Sequence, residues 1–339
     1  MRIIRAIAAF TLLLAGIACA DDSVCAPCHR QQASHLAATP MGQALRTAPE
    51  SDILKQNPDL SFQEGAYRSR IVRSGDRSVL TVTNAAETFS VPLLWAFGRG
   101  QAGQTYVFEH NGNLYESRVS FYNALGALDL TMGAMGSRPQ SIEQAAGRKM
   151  DSIGARDCFG CHSTGGISQG RLHLESLSPG VGCESCHGPG EKHVAATKAG
   201  DRAGAKMPRL SALGAEGMSE MCGQCHRTWS QIALNGPHGV NNVRFQPYRL
   251  ANSKCYDPAD RRIGCTACHD PHGALETNLV KYDPKCTACH AAGTGRKICR
   301  TAKANCVSCH MPKLELPGAH AGFTDHQIRI AKAGDPYPN

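Results

Sequence analysis

The chain has 339 residues, of which 36 are Lys or Arg and 28 are Asp or Glu, so its formal net charge is +8. It contains 17 cysteines and 15 histidines but few aromatic residues. After residue 20, no segment approaches the roughly 18 uncharged apolar residues that a membrane-spanning helix needs, so we expect the mature chain to be soluble.

The first twenty residues have the pattern of a secretory signal peptide. Two arginines precede an apolar run over residues 6–17, and small residues follow before the first acidic residues. We expect cleavage after Ala20 and a periplasmic or extracellular location. Cys19 offers the alternative of a lipoprotein anchor, but Gly16 is a poor match to the branched aliphatic residue usual at that position.

The pentapeptide Cys-x-x-Cys-His occurs seven times and uses fourteen of the seventeen cysteines. It is typical of covalent c-type haem attachment. The two thiols reach the two vinyl groups of one porphyrin, and the adjacent imidazole holds the iron. Zinc sites also use Cys-x-x-Cys units, but they do not require a histidine after each second cysteine. The copies are Cys25/Cys28/His29, Cys158/Cys161/His162, Cys183/Cys186/His187, Cys222/Cys225/His226, Cys265/Cys268/His269, Cys286/Cys289/His290 and Cys306/Cys309/His310. We number them motifs 1 to 7 and predict seven covalently bound haem c groups.

Haem attachment changes the meaning of the positive charge. Each haem carries two propionate carboxylates, and these would offset the formal charge of +8. Many Lys and Arg side chains are therefore expected to bind propionates, and we expect no nucleic-acid partner. Attachment also agrees with export, because haem is joined to thiols outside the cytoplasm, in the compartment where disulfides persist.

A long stretch without a motif follows motif 1, and its pattern predicts a small β-rich insert. Two pairs of alternating segments flank turn signals, which predicts two hairpins. The pairs are residues 69–74 with 77–83, around Ser74-Gly75-Asp76, and residues 104–110 with 113–121, around Asn111-Gly112. The apolar run from Phe89 to Phe97 lies between them and is expected to be buried.

Motifs 2 to 7 are too closely spaced for independent hydrophobic cores, so the haems themselves must form the core. We predict a multihaem cytochrome c fold of mostly short α-helices and irregular chain around a haem core, with a small β-rich N-terminal insert. Helices are expected just before several motifs, for example over residues 215–224. The predicted organisation is residues 1–20 signal peptide, 21–60 first haem segment, 61–125 β-rich insert, 126–150 Gly-rich connection, 151–330 hexahaem domain and 331–339 tail.

The sixth ligand of each iron decides between electron transfer and catalysis. Eight histidines lie outside the motifs, so every iron could be bis-His with one histidine left over. His272 follows His269 across Asp270-Pro271, where proline stiffens the chain and projects the second imidazole towards a neighbouring haem. His193 follows motif 3 in a similar way, and His320 and His326 lie in a tail that could return over the cluster. We predict these four as distal ligands.

The other candidates are less well defined by their surroundings. His173, His238 and His35 are further candidate ligands. Met41 competes with His35 for a nearby iron, and a methionine ligand would raise the reduction potential of that haem. His110 adjoins the Asn111-Gly112 turn and is expected to be a turn residue. Cys255 and Cys299 remain after the signal is removed; they form either one disulfide or two unpaired thiols.

Several phrases resemble exported multihaem cytochromes c. They are CESCHGPG over 183–190, CHDPH over 268–272, CHMPK over 309–313 and the late Asp325-His326. The likeness is to the group with tetrahaem shuttle cytochromes, hydroxylamine oxidoreductases and pentahaem nitrite reductases, and it covers about residues 150 to 330. The resemblance implies stacked and perpendicular haem pairs, mostly bis-His, that pass electrons along a chain.

The sequence departs from the catalytic members of this group. Nitrite reductases generally replace the histidine of the catalytic motif by lysine, and no Cys-x-x-Cys-Lys occurs here. Hydroxylamine oxidoreductases have a tyrosine that crosslinks to the catalytic haem, and Tyr248, Tyr256 and Tyr282 cannot be told apart for that role.

We therefore predict a heptahaem c-type cytochrome that transfers electrons between redox partners. Two alternatives remain. One is a multihaem reductase or oxidase for a small nitrogen or sulfur compound, with one open iron and Arg244, His238 or Lys281 binding an anion and moving protons. The other is a structural subunit of a cytochrome filament or an outer-membrane conduit, in which the β insert docks to a partner.

Overall fold

The computed structural model describes residues 22–294, 298–332 and 334–338. The predicted signal peptide and its cleavage site, with Cys19, lie outside these residues. Within the described ranges, no helix is both long and apolar enough to cross a membrane.

The N-terminal part of the protein is built on one nine-stranded antiparallel sheet. Seven strands follow one another in the order β2-β3-β4-β5-β6-β7-β8, while β1 pairs with β5 and β9 pairs with β7. The bounds are β1 Leu45–Thr47, β2 Asp59–Glu64, β3 Tyr67–Ser74, β4 Arg77–Thr83, β5 Thr88–Phe97, β6 Gln104–His110, β7 Asn113–Tyr122, β8 Ala127–Leu130 and β9 Gly147–Lys149.

Alternating side chains of this sheet form its hydrophobic core. Leu80 and Val82 of β4, together with Phe108 of β6, are completely buried there. The sheet curls so far that its first strand approaches its last ones. Arg118 of β7 donates two hydrogen bonds of 2.6 Å to the carboxylate of Glu64 at the end of β2. The side chain of Arg118 is only 7% exposed, so this ion pair fastens the curled sheet in a largely dry setting.

Both predicted hairpins are confirmed. Strands β3 and β4 pair around Gly75, and β6 and β7 pair around Asn111-Gly112. However, the prediction of a small insert over residues 61–125 was too narrow, because β1, β2, β8 and β9 extend the sheet beyond both ends. Residues 126–150, predicted as a connection, supply two strands and a helix. Helices therefore do not dominate this part of the molecule.

The C-terminal part consists of short helices, short strand pairs and irregular chain. The predicted helix over residues 215–224 is confirmed and runs on through His226. The helices of the whole chain are α1 Arg30–Ala38, α2 Asp52–Gln56, α3 Ile142–Ala146, α4 Ser152–His162, α5 Glu184–His187, α6 Glu191–Lys198, α7 Ala215–His226, α8 Trp229–Asn235, α9 Gln246–Ala251, α10 Cys265–Cys268, α11 Asp283–His290 and α12 Cys306–His310. The remaining strands pair as β10 Ser163–Thr164 with β13 Ser178–Pro179, β11 Ile167–Ser168 with β12 Arg171–Leu172, and β14 Lys313–Leu316 with β15 Ala321–Thr324.

The segment of motif 1 does not stand apart from the others, although it is remote in sequence. Asp22 accepts a hydrogen bond of 2.8 Å from the backbone N–H of Cys183, and the N–H of Val181 donates to the carbonyl of Met41. Gly180 has a φ of +88° and lies so close to the carbonyl of Gly42 that a Cβ at this position would clash. A side chain there would force the two segments apart.

Cys255 and Cys299 are not joined by a disulfide. Cys299 is exposed, whereas Cys255 is half-buried and lies near Cys286 of motif 6. Of the two alternatives for these cysteines, the structure therefore has two separate thiols.

Candidate functional site

A turn of helix brings the three reactive side chains of each motif together. Motifs 2, 4, 6 and 7 end α4, α7, α11 and α12, so their cysteines are three residues apart on a helix and the histidine follows at the next position. Residues at i, i+3 and i+4 share one face of a helix. Motif 1 makes the same turn without a regular helix, because the N–H of His29 donates to the carbonyl of Cys25 at 2.9 Å. Both thiols and the imidazole therefore face one side.

The local sequence begins and fixes these turns. Asp151 caps α4 by accepting a hydrogen bond of 2.6 Å from the N–H of Gly154. The Asp283 carboxylate in α11 accepts hydrogen bonds from the N–H groups of Asn305 and Cys306, at 2.6 and 2.8 Å. These backbone hydrogen bonds hold the pKa of Asp283 below its usual range. One carboxylate thus joins motif 6 to the start of α12, which carries motif 7.

Cysteines of different motifs lie in contact with one another. Four thiol pairs are within hydrogen-bonding contact, and each joins two motifs: Cys25 with Cys183, Cys161 with Cys225, Cys222 with Cys265, and Cys286 with Cys306. The contact with Cys225 lowers the pKa of the Cys161 thiol to about 7, and that with Cys222 lowers the pKa of Cys265 to about 7. The thiol of Cys161 also lies 3.7 Å from the carbonyl of Gln224.

Two weaker approaches connect these pairs to one another. The Cys186 thiol lies near Cys222 and Cys225, and the Cys268 thiol lies near Cys286. Motif 1 therefore adjoins motif 3, motif 3 adjoins motif 4, and motif 4 adjoins both 2 and 5. Motif 5 adjoins motif 6, which adjoins motif 7. The seven attachment points form one connected series.

Five of the predicted attachment cysteines are exposed, namely Cys28, Cys186, Cys225, Cys268 and Cys309. Cys186, Cys225 and Cys268 belong to the thiol contacts described above, whereas Cys28 of motif 1 and Cys309 of motif 7 do not. The Cys309 thiol has the hydroxyl of its neighbour Ser308 at 3.8 Å. The expectation that the haems of motifs 2 to 7 form a shared core stays a prediction. Haem attachment by Cys28 and Cys309 stays a prediction from the motif.

Three motif histidines face a histidine from elsewhere in the chain. The ring centres of His29 and His193 are 6.4 Å apart, those of His187 and His272 are 6.0 Å apart, and those of His269 and His326 are 6.1 Å apart. The angles between the ring planes are 33°, 6° and 44° respectively. Each of these pairs brings together a motif histidine and a histidine predicted as a distal ligand.

Hydrogen bonds orient several of these imidazoles. Carbonyl oxygens accept from Nδ1 of His162, His193, His310 and His326, at distances of 2.9, 2.6, 2.8 and 3.0 Å. Because a carbonyl can only accept, Nδ1 must carry the proton, which leaves the Nε2 lone pair free for a metal. Burial lowers the pKa of His326 to about 4 and also lowers that of His162. Both rings are therefore neutral at pH 7, the form that binds iron.

The other predicted ligands have different surroundings. Nε2 of His320 lies 2.8 Å from Oδ2 of Asp129, and its ring contacts Tyr122. Nδ1 of His173 lies 3.1 Å from Oε1 of Glu175. His110 contacts Asn111 and Phe89, as expected for a turn residue. His35 lies in α1 and His238 immediately precedes a short 3-10 turn, and Met41 lies in the segment that contacts motif 3.

Sequence reasoning missed the groups that orient the rings. The carbonyls of Ala44, Ala205 and Arg329 have no signature in sequence, because any residue supplies a carbonyl. It also missed Arg249, which is completely buried in an ion pair with Asp325 beside His326. A buried arginine can be recognised only from the fold, since its sequence neighbours do not mark it.

The donor set fits haem c. Seven pairs of thiols each adjoin an imidazole, as two thioether links and one axial ligand require. Two imidazoles bound to one iron would have ring centres about 6 Å apart, given a metal–nitrogen bond of about 2 Å and about 1 Å from nitrogen to ring centre. The three observed pairs agree with that distance. The chain is a multihaem c-type cytochrome that binds haem c covalently.

Comparisons with known proteins agree with this class. Residues 131–188, which include motifs 2 and 3, match the family model "Cytochrome c554 and c-prime". The chain is 26% identical over 211 residues to the multiheme cytochrome MtrA of Shewanella baltica, covering 56% of this chain and 55% of that protein. It is 37% identical over 92 residues to cytochrome c-554 of Nitrosomonas europaea, covering 24% of this chain and 39% of that protein.

A solved structure shares the fold. The outer cell wall cytochrome OcwA superimposes with a TM-score of 0.53 at 15% sequence identity, over 92% of this chain and 80% of that one. The match to the two curated relatives spans only about half or less of their length.

Proposed function

We propose that the protein is an exported heptahaem cytochrome c that transfers electrons between redox partners. The observation that supports this most strongly is the connected series of attachment points, in which cysteines of neighbouring motifs touch. Bound haem irons supply reversible one-electron chemistry. The chain contributes the spacing, because thioether links at touching cysteines hold neighbouring porphyrin edges together.

The order of the motifs in space follows from the same contacts. We infer a line that runs through motifs 1, 3, 4, 5, 6 and 7, with motif 2 attached beside motif 4. By the thiol contacts described above, motifs 1, 2 and 7 adjoin one other motif each and are the ends of this network. Donor and acceptor proteins are therefore proposed to dock near these three motifs.

Histidines from outside the motifs are proposed to close at least three irons. The pairs are His29 with His193, His187 with His272, and His269 with His326. The ring distances of 6.0 to 6.4 Å support this assignment. The partners of motifs 2, 4, 6 and 7 stay predictions among His35, His173, His238, His320 and Met41. Of these, His320 would first have to release Asp129 from Nε2.

Export is proposed for the site of action. The residue pattern of the signal peptide supports it, and the structural relative OcwA is an outer cell wall cytochrome. Cleavage after Ala20 and the identity of the redox partners belong to the same proposal.

A reductase or oxidase is the second candidate, and one observation favours it. Nε of Arg244 is buried and has no hydrogen-bond partner within the described ranges, and both burial and the nearby Arg227 guanidinium lower the pKa of Arg244. The two guanidinium groups and the unpaired N–H of Arg244 could together bind an anion. A haem propionate satisfies them under the first proposal, and an anionic substrate would satisfy them under the second.

Electron paramagnetic resonance of the fully ferric protein separates the two functions. Electron transfer alone predicts only low-spin signals that nitrite and hydroxylamine leave unchanged. A high-spin signal that shifts when either compound is added would overturn the electron-transfer proposal in favour of an enzyme.

A further inference from the structure

The guanidinium of Arg249 is a buried charge whose hydrogen bonds are all satisfied. Arg249 and Asp325 are both 0% exposed. A guanidinium has five N–H groups, and here each has an acceptor. Nε donates to Oδ1 of Asp325 at 2.9 Å, and Nη2 donates to Oδ2 of Asp325 at 3.1 Å and to Gln327 at 2.6 Å. Nη1 donates to Asn242 at 3.2 Å and to the carbonyl of Pro338 at 2.8 Å.

Arg249 thereby holds the side chains of both residues that flank His326. Asp325 precedes His326 and Gln327 follows it, so the guanidinium of Arg249 bonds to both sequence neighbours of His326. Ser253, four residues after Arg249, donates from Oγ to the carbonyl of His326 at 3.2 Å. The imidazole of His326 then faces His269 of motif 5 at 6.1 Å.

The same segment also orients motif 7. The carbonyl of Arg329 accepts a hydrogen bond of 2.8 Å from Nδ1 of His310. The N–H of Arg329 donates back to the carbonyl of His310 at 3.1 Å. The Arg329 guanidinium in turn binds Asp325. The carboxylate of Asp325 is therefore linked to two iron sites. It adjoins His326, the candidate ligand of motif 5, and it binds Arg329, whose carbonyl orients the iron-binding histidine of motif 7.

This ion pair is a poor choice for stability alone. The free energy needed to remove two charges from water cancels much of their mutual attraction. An apolar pair of similar size therefore often stabilises a protein to the same extent. A bidentate pair does provide geometry, because two parallel N–H···O bonds fix both distance and direction.

We propose that Arg249 is a positioning residue that sets the ligand geometry of two irons at once, those of motifs 5 and 7. The inference rests on the proposed function, since it requires His326 to be the distal ligand of motif 5. Arg249 touches neither iron. It acts by fixing Asp325, from which His326 and the Arg329 carbonyl take their positions.

The test compares four variants of the haem-loaded protein. Arg249→Met removes the donors but keeps the bulk, and Arg249→Lys keeps the charge with fewer donors. His326→Ala removes the ligand itself. Arg118→Met is the matched control, because Arg118 is also a buried ion-pair arginine, and within the described ranges its guanidinium bonds to Glu64 and Ser137, which belong to no motif.

We expect His326→Ala and Arg249→Met each to turn one low-spin haem into a high-spin haem that binds carbon monoxide when reduced. Arg249→Lys is expected to do so partially, and Arg118→Met not at all. Arg249→Met should also raise the potential of a second haem, because a weaker hydrogen bond from Nδ1 makes His310 a weaker donor to iron.

The outcomes distinguish this inference from the proposed function. If His326→Ala leaves the spectrum unchanged, the ligand assignment fails. If His326→Ala opens a haem but folded Arg249→Met does not, Arg249 is only a structural residue and the inference is overturned. Should Arg249→Met not accumulate, Asp325→Asn is measured instead, with the same expected opening of one haem and the same refuting result.

Discussion

Replacing His272 by leucine should open one iron in a defined way. His272 faces His187 with ring centres 6.0 Å apart and ring planes only 6° apart. Leucine fills a similar volume but cannot bind a metal. We therefore expect one of the seven proposed haems to change from low spin to high spin while the others keep their ligands.

The ring angles identify which signal should disappear. Two iron d orbitals interact with the π electrons of the imidazoles. Parallel imidazoles both raise the energy of the same one of these orbitals, and this energy difference gives a rhombic low-spin spectrum. Planes that cross at 33° or 44°, as for the other two pairs, split these orbitals less and give a more axial spectrum. His272→Leu should remove a rhombic component equal to about one-seventh of the total iron and keep the axial ones.

Electron paramagnetic resonance with spin quantification measures this loss. Carbon monoxide titration of the reduced protein should show one new binding site per molecule. His110→Leu is the control, because His110 lies at the β6–β7 turn and contacts Phe89 rather than a motif histidine. An unchanged rhombic signal in folded His272→Leu, or an equal loss in His110→Leu, would refute the assignment.

Three further predictions follow. The intact mass of the exported protein should exceed that of the chain without its signal by seven haems, and a smaller increment would show that some motifs are not used. Glu64→Gln should lower the free energy of unfolding by about 2 kcal/mol, because it leaves the nearly buried Arg118 charge without its carboxylate. Urea unfolding measures this change. The control Asp59→Asn should show a smaller one, because Asp59 lies in an exposed ion pair. Asp283 has a lowered pKa, so its stabilising contribution should be complete above about pH 4 and disappear as the pH falls through the lowered value. Asp283→Asn should lack that part of the acid dependence, and an acid titration with identical curves for both proteins would argue against it.

Local patterns predicted the local parts of the fold. The turns at Gly75 and at Asn111-Gly112 have strong signals, and both hairpins form there. Strand β1 has only three residues and pairs with β5 about fifty residues away, so it has no periodicity to detect. The extent of the sheet was underestimated for this reason.

Long-range contacts account for what the sequence could not predict at the site. The motifs identify the attachment points, but the contact between Asp22 and Cys183 joins residues 161 positions apart. No local pattern encodes that approach, so the sequence alone does not place motif 1 beside motif 3. Arg249 likewise has ordinary neighbours in sequence, and only the fold brings Asp325 and Gln327 to its guanidinium.

The central claim is that all haems belong to one connected network, and electron counting through a single entry point tests it most directly. Cys299 is exposed and not in a disulfide, and hydrogen bonds from the backbone amides of Ala302 and Thr301 lower the pKa of its thiol, which favours labelling. A ruthenium photosensitiser on Cys299, in a Cys255→Ser background, at high dilution and with an excess of a sacrificial electron donor that re-reduces the dye, would inject electrons one flash at a time. We predict that each molecule accepts about seven electrons, one for each motif. Saturation after about two, with only the haems nearest the label reduced, would contradict the connected network.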